Sequence, residues 1–98
     1  MMKRSLFLAL ALGFTINLFG QFSISGSIKD SLANPIPGAT IKIANTYIGT
    51  SSKSDGSYLL SKIDSGTYSV EVNFIGYETQ IIEEKISDKN VDQSFELK

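Results

Sequence analysis

Alternating hydrophobic and polar residues predict that the chain after residue 20 folds into short β-strands. A strand that is buried on one face shows this period of two, because successive side chains point to opposite faces. In the first such run, Phe22, Ile24 and Ile28 lie on one side and serines on the other. The run Tyr68–Phe74 alternates most regularly, which predicts a central strand. No stretch after residue 20 keeps a helical period, so we predict an all-β domain.

Turn-forming residues divide this region into seven predicted strands, which begin near Phe22, Ala39, Tyr47, Tyr58, Tyr68, Glu78 and Val91. Short strands with turns about every 8–12 residues are typical of an antiparallel β-sandwich, with a small barrel as the alternative. The third run, Tyr47–Lys53, is polar and is predicted to lie near a sheet edge. The sixth contains the adjacent Ile81 and Ile82, which predicts a bulge or a segment covered on both faces. The last, Val91–Leu97, is predicted to be one strand.

The first twenty residues have the pattern of a secretory signal peptide. Lys3 and Arg4 form a short basic stretch, and an unbroken apolar run follows from Leu6 to Leu12. This run is shorter than the roughly 20 residues that span a bilayer; a membrane or core helix is the alternative. We predict a signal peptide over residues 1–20, with cleavage after Gly20, and one domain over residues 21–98. The protein is therefore expected to be exported to the periplasm or outer membrane, or secreted.

The composition excludes several kinds of chemistry. The chain of 98 residues contains no His and no Cys, so it has no imidazole base, thiol nucleophile, disulfide or usual zinc ligand. Its formal net charge is −1 with nine Lys and Arg residues, which does not favour the clustered basic face that nucleic-acid binding requires. Glu83 and Glu84 are adjacent, so they point to opposite faces of a strand and cannot act as a catalytic pair. We expect no enzyme activity, no cofactor and no metal.

The most specific residues of the chain lie in its predicted turns, and they are Pro35, Pro37, Gly38, Asp55, Gly56, Gly66, Gly76 and Tyr77. The two prolines favour a rigid turn over a polyproline docking site, because each fixes φ and lacks a backbone donor. The Asp-Gly pair favours a hairpin turn over a calcium loop, which needs several more oxygen ligands. Gly76 predicts a bulge or a close backbone approach. Tyr77 is interpreted as a core residue with a hydrogen-bonded hydroxyl, or alternatively as a surface aromatic that stacks on a sugar.

These turns follow one another in an order that resembles the carboxypeptidase-regulatory-like domain. The segments that carry the resemblance are Gly26–Asp30, Asn34–Ile41, Ile48–Thr50, Ser54–Tyr58, Gly66–Tyr68 and Phe74–Gln80. The resemblance covers nearly all of residues 21–98 and implies a seven-stranded, transthyretin-like sandwich. That module is most often found at the N-terminus of TonB-dependent outer-membrane receptors, between a signal peptide and the plug and barrel. It implies no catalysis, because the metal of carboxypeptidases lies in a separate domain.

Two functions follow from this resemblance. The first is a non-catalytic interaction or spacer module of a TonB-dependent nutrient receptor, which contacts the plug and barrel or another envelope protein through an open strand edge. The candidate edge is the polar third run, Tyr47–Lys53. The second is a free-standing exported domain that binds a glycan or a protein. Tyr47 lies among polar residues and is the candidate exposed aromatic for such binding.

Overall fold

The computed structural model describes residues 21–98, and the predicted signal peptide over residues 1–20 lies outside this part of the chain. All regular structure in the described residues is β-strand, which confirms the all-β prediction. The eight strands of residues 21–98 are β1 Phe22–Asp30, β2 Thr40–Ile43, β3 Gly49–Ser51, β4 Ser57–Ile63, β5 Gly66–Asn73, β6 Gln80–Ile86, β7 Val91–Asp92 and β8 Phe95–Leu97. Within this range there is no helix with the length and apolarity needed to cross a membrane.

The strands form two sheets that pack face to face as a sandwich. In the first sheet β1 is central, with β4 antiparallel to it on one side and β7 and β8 on the other. The second sheet has the order β3-β2-β5-β6 and is antiparallel throughout. The strand with the most regular alternation, β5, is therefore central, and the polar β3 is at an edge, as the sequence predicts.

Side chains from the inner faces of both sheets form the hydrophobic core. Ile24 and Ile28 of β1 face Ile41 and Ile43 of β2, and all four are fully buried. The other buried hydrophobic residues are Ile36, Ala39, Tyr58, Leu60, Ile63, Val70, Val72, Ile86, Phe95 and Leu97. Full burial of one large aliphatic side chain stabilises a fold by roughly 1.5–3 kcal/mol. This core holds the sandwich together, since the chain has no cysteine for a disulfide.

The end of the chain differs from the single antiparallel strand that was predicted. It is divided into β7 and β8, so the described residues contain eight strands rather than seven. Both run parallel to β1, with Val91 beside Ile24 and Phe95 beside Ile28. Alternation has the same period in parallel and antiparallel strands, so the pattern of residues does not report the direction.

The break between β7 and β8 lies directly over Gly26 of β1. The N–H of Gln93 donates to the carbonyl oxygen of Ser25 at 2.8 Å, and the hydroxyl of Tyr58 donates to the carbonyl oxygen of Gln93. A Cβ at position 26 would lie 2.0 Å from that same Gln93 oxygen. Gly26 is therefore required by the close approach of two backbones, and this contact is where the last strand bends.

Strand β6 also differs from its prediction. Ile81 points outward and is 62% exposed, whereas Ile82 points inward and packs against the core. All seven residue pairs between β5 and β6 are in regular register, so the adjacent isoleucines are not the mark of a bulge. A register shift lies instead between β1 and β4, where Lys62 has a φ of 60°.

Candidate interaction surfaces

The loops of the sandwich lie at two opposite ends. One end, which we call the motif end, is formed by the loops 31–39, 52–56 and 74–79. The last residue, Lys98, lies there as well, because its carbonyl oxygen accepts a hydrogen bond of 2.9 Å from the N–H of Glu78. The other end carries the start of β1 and the turns that precede β3, β5 and β7.

Most of the turn residues selected from the sequence lie together at the motif end, namely Pro35, Pro37, Gly38, Asp55, Gly56, Gly76 and Tyr77. Gly66 begins β5 at the opposite end, and Tyr47 lies at that end too. The side chain of Tyr47 is fully exposed, as expected, but it belongs to the turn before β3 because that strand begins only at Gly49. The structure therefore separates the candidate glycan-stacking residue from the main cluster of turns.

The proline-containing loop between β1 and β2 is held by backbone hydrogen bonds to β1 and to Ser52, the residue that follows β3. Pro35 forms a bridge with the end of β1. The N–H of Ile36 donates to the carbonyl oxygen of Ile28 at 2.9 Å, and the N–H of Gly38 donates to that of Ser52 at 2.9 Å. Gly38 has a φ of 78°, which a residue without a side chain adopts most easily. These bonds favour the rigid-turn interpretation over a free polyproline segment.

Ser52 is a buried polar residue whose role the sequence pattern does not indicate. It is 6% exposed, and its Oγ donates to the carbonyl oxygen of Ile36 at 2.6 Å while accepting the N–H of Ala39 at 2.8 Å. One hydroxyl thus satisfies two backbone groups of the proline-containing loop where no strand pairs with them. A serine in a serine-rich run gives no sequence signal for this role.

The Asp55–Gly56 pair forms the tight turn that was expected between β3 and β4. Gly56 has a φ of 82°, and its N–H donates to the carbonyl oxygen of Lys53 at 2.8 Å. The carboxylate of Asp55 accepts the Ser57 hydroxyl at 2.6 Å and the Ser57 N–H at 3.0 Å, and these two bonds lower the pKa of Asp55. In residues 21–98 no group of three or more Asp or Glu side chains is placed to hold a metal ion.

Asp30 closes an exposed turn in the loop 31–39 of the motif end in the same manner. One of its carboxylate oxygens accepts the N–H groups of Asn34 and Leu32, both at 2.9 Å. The hydrogen bond from the backbone of Asn34 is the main reason why the pKa of Asp30 is lowered. Both aspartates therefore serve as local acceptors for turns.

Gly76 corrects an expectation from the sequence, whereas the packing of Tyr77 agrees with its interpretation as a core residue. A Cβ on Gly76 would meet nothing within 4 Å, and its φ is 89°, so it serves a turn rather than a bulge or a close approach. Tyr77 is half-buried and packs against the core and the ring of Phe74, at a centroid distance of 6.0 Å. Among residues 21–98 its hydroxyl has no hydrogen-bond partner, whereas the hydroxyl of Tyr68 donates to the carbonyl oxygen of Asp64 at 2.7 Å.

Exposed hydrophobic side chains distinguish the motif end from an ordinary set of polar turns. Leu32 is 80% exposed and Ile75 is 91% exposed, at the tips of two different loops. Ile75 also lines a shallow groove of about 380 Å³ with Gly38, Thr40, Asn73 and Phe74. The groove is open to solvent and holds no charged side chain, so it offers an apolar contact surface rather than a reaction centre.

The fold and its surfaces define a small all-β sandwich module in which Asp30, Ser52 and Asp55 hold turns and loops through hydrogen bonds. A family model for the CarboxypepD_reg-like domain matches residues 24–98, and the chain belongs to this family. The TonB-dependent receptor SusC of Bacteroides thetaiotaomicron is similar to it, with 32% identity over 81 residues. That match covers 82% of this chain but 8% of the receptor, so the chain spans a small part of its relative. The resemblance inferred from the turns is thereby confirmed.

Solved structures share the fold at low sequence identity. A type II cohesin–X-dockerin complex from Acetivibrio cellulolyticus matches with 24% identity and a TM-score of 0.63, over 78% of this chain and 56% of that one. BcpA, the major pilin subunit of Bacillus cereus, matches with 20% identity and a TM-score of 0.65, over 80% of this chain and 30% of that one. These similarities support the β-sandwich fold and no more.

Proposed function

We propose that the domain is a non-catalytic spacer and interaction module of the bacterial envelope, placed at the N-terminus of a TonB-dependent outer-membrane nutrient receptor. Membership of the CarboxypepD_reg-like family and the similarity to the SusC receptor support this context. In this proposal the chain is exported by the signal peptide over residues 1–20 and lies on the periplasmic side. Its partners are the plug and barrel of the same receptor or another envelope protein.

The observation that carries the spacer function is the path of the chain through the sandwich. Gln21 precedes β1 at one end, whereas Lys98 lies at the motif end. β1 has nine residues and spans the whole module. At about 3.3 Å per residue, its two ends are separated by roughly 30 Å. In this proposal the mature N-terminus at Gln21 and the receptor segment that follows Lys98 are thus held apart by a rigid element.

The arrangement of polar groups supports a non-catalytic role. Within the described residues, Ser52 is the buried polar side chain, and both of its hydrogen bonds go to the backbone of one loop. The carboxylates of Asp30 and Asp55 are engaged by turn N–H groups. Each of these groups has a structural partner, which leaves the outer faces, loop tips and strand edges for contacts with other molecules.

A distance measurement tests the spacer function directly. The chain has no cysteine, so the double variant Gln21→Cys, Lys98→Cys carries two unique spin-label sites. We expect a narrow distance distribution centred near 30 Å, plus the length of the labels, by double electron–electron resonance. A broad distribution in the folded protein would show that the two ends are not rigidly separated.

N-terminal sequencing tests the signal peptide separately. The exported protein should begin at Gln21, and a start at Met1 or Met2 would contradict export by cleavage.

The full exposure of Tyr47 favours glycan binding as a second candidate function. A single aromatic ring stacks on one sugar and gives weak binding by itself. Calorimetric titration with glycans, compared with Tyr47→Ala, decides between the candidates. Heat of binding that disappears in the variant supports the glycan function, and the same result in both proteins contradicts a role for this ring.

A further inference from the structure

The sandwich has several strand edges, and most of them are closed to a partner strand. β8 is blocked, because the carbonyl oxygens of Glu96 and Lys98 accept hydrogen bonds from the side chain of Gln80 and the N–H of Glu78. β4 carries the register shift and the positive φ of Lys62, which disturb its edge. β3 and β7 have three and two residues, respectively.

The outer edge of β6 is long, regular and open. Within residues 21–98 this strand pairs only with β5, over seven residues. On β5, the carbonyl oxygen of Ser69 accepts the N–H of Ala44, so the backbone groups of Ser69 point toward β2 and those of Val70 toward β6. Because Val70 pairs with Ile82, the even-numbered residues of β6 bond to β5. The N–H and carbonyl groups of the odd-numbered residues, Ile81, Glu83 and Lys85, therefore point to the free side.

The side chains along this edge present mainly negative charge. Glu83 is exposed on the outer face, and Glu84 is half-buried on the inner face. Glu78 lies just before the strand, and Lys85 is the single basic residue of β6. Exposed Ile81 adds an apolar contact near the start of β6. The chemistry that fits is an extended segment with basic side chains in its middle and an apolar residue near one end.

A second copy of the chain fits this edge poorly. In the antiparallel register that pairs two β6 strands over their full length, Glu83 faces Glu83 of the other copy. Like charges placed directly opposite each other on neighbouring strands are destabilising. The charge pattern therefore favours a different, basic partner over self-association.

We propose that the outer edge of β6 binds an extended, basic segment of a partner protein as an added antiparallel strand. The backbone of Ile81, Glu83 and Lys85 forms the hydrogen bonds, and basic side chains of the partner lie opposite Glu83 and Glu84. This inference rests on the proposed function, for which it names the docking site and the chemistry of the partner. The added strand runs antiparallel to β6, because every pair of neighbouring strands in this sheet is antiparallel.

A synthetic peptide serves as the probe. From its N-terminus it reads valine, glutamate, lysine, arginine, isoleucine, valine, threonine, which places the glutamate opposite Lys85 and the two basic residues opposite Glu84 and Glu83. Fluorescence anisotropy of the labelled peptide should report binding to the full chain. Because Glu83 is solvent-exposed, the affinity should fall as salt rises from 50 to about 500 mM. A peptide with the acidic and basic residues exchanged should bind at least tenfold more weakly.

The decisive variant is Glu83→Pro, which removes an N–H that points away from β5 and places a ring at the centre of the edge. It should weaken peptide binding at least tenfold. The matched control is Ser51→Pro on the β3 edge. The N–H of Ser52 donates to the carbonyl oxygen of Ala39, just before β2, so the N–H of the preceding Ser51 points outward. This control should bind the peptide as the unmodified chain does. Far-ultraviolet circular dichroism shows whether each variant is folded.

A charge exchange keeps the test decisive even where a proline variant does not fold. Glu83→Lys should lose affinity for the basic peptide and gain it for the charge-exchanged peptide. The proposal is overturned if the folded chain does not bind the peptide, or if Glu83→Pro binds it equally well. It is also overturned if the chain forms dimers at high concentration and Glu83→Pro does not. The label distance between positions 21 and 98 is independent of this edge, so failure here leaves the spacer function standing and separately testable.

Discussion

Replacement of Ser52 by alanine should destabilise the domain far more than the loss of one exposed hydroxyl would. The hydroxyl holds two backbone groups of the proline-containing loop, the carbonyl of Ile36 at 2.6 Å and the N–H of Ala39 at 2.8 Å. Ile36 and Ala39 are 5% and 0% exposed, so water does not readily replace the lost partner. A buried backbone group without a partner costs about 1–3 kcal/mol. We expect Ser52→Ala to lower the free energy of unfolding by about 2–4 kcal/mol.

This loss is large for so small a domain. At roughly 0.05–0.15 kcal/mol per residue, its total stability is about 4–12 kcal/mol. At 4–8 °C per kcal/mol, a loss of 2–4 kcal/mol should lower the midpoint of thermal unfolding by roughly 8–32 °C. Urea unfolding followed by far-ultraviolet circular dichroism measures the free energy, and an unchanged slope with urea concentration shows that the variant still unfolds as one unit.

The matched control is Ser57→Ala in the neighbouring turn. The hydroxyl of Ser57 donates to the carboxylate of Asp55 at 2.6 Å, a bond of similar length at a solvent-exposed position. Water can take the place of this hydroxyl, so we expect a change of about 0.5 kcal/mol or less. If both variants lose the same stability, the argument that burial makes the Ser52 hydroxyl costly to remove is refuted.

Three further predictions follow from the packing and the titratable groups. Gly26→Ala should lower the free energy of unfolding by roughly 1–3 kcal/mol or prevent folding, because its methyl group would lie 2.0 Å from the Gln93 carbonyl oxygen. A thermal midpoint within about 2 °C of that of the unmodified chain would contradict this close approach. Burial first, and then the negative charges of Glu84 and Asp92, raise the pKa of Tyr58. The protonated side chain therefore contributes its full stability below pH ~10, and this contribution is lost as the pH rises above that value. Tyr58→Phe should remove this alkaline loss in melting experiments, and an unchanged pH profile would refute the assignment. The pKa of Asp30 is lowered by turn N–H groups. Its carboxylate therefore stabilises the fold above pH ~4, and this effect is lost as the pH falls below that value. Asp30→Asn should flatten the acid side of the plot of stability against pH, and an equally steep acid loss would show that other carboxylates cause it.

Periodicity predicted the parts of the fold that depend on which face of a strand is buried. The alternating run of β5 identified Val70 and Val72 as core residues and placed the strand inside its sheet. The polar composition of β3 identified an edge. Both inferences depend only on the distribution of hydrophobic side chains, which the core requires.

Features that depend on contacts between distant backbones were not predictable in this way. The parallel direction of β7 and β8 leaves no trace in the alternation. Gly26 and Gly76 are the same residue type, yet one is required by a carbonyl oxygen 2.0 Å from its missing Cβ and the other by its φ of 89°. The hydroxyl of Ser52 became visible as a structural element only when the proline-containing loop was seen folded over it.

The candidate surfaces were predicted in part. The exposure of Tyr47 followed from its polar neighbours, and the order of the turns led to the family. The long open edge of β6 could not be recognised, because Ile81 and Ile82 suggested a covered or irregular segment. Only the register with β5 shows that the strand is regular and that its outer side carries an unpaired row of backbone groups.

The parallel neighbours of β1 have a consequence for how the newly made chain folds. The first strand after residue 20 needs the last ones as partners: Ser27 contacts Ser94 across 67 positions of the chain. In an otherwise unfolded chain, closing a loop of that length costs about 4 kcal/mol of chain entropy. Until residues 91–97 have been made, β1 and β4 can pair, but the edge of β1 that later receives β7 and β8 stays open.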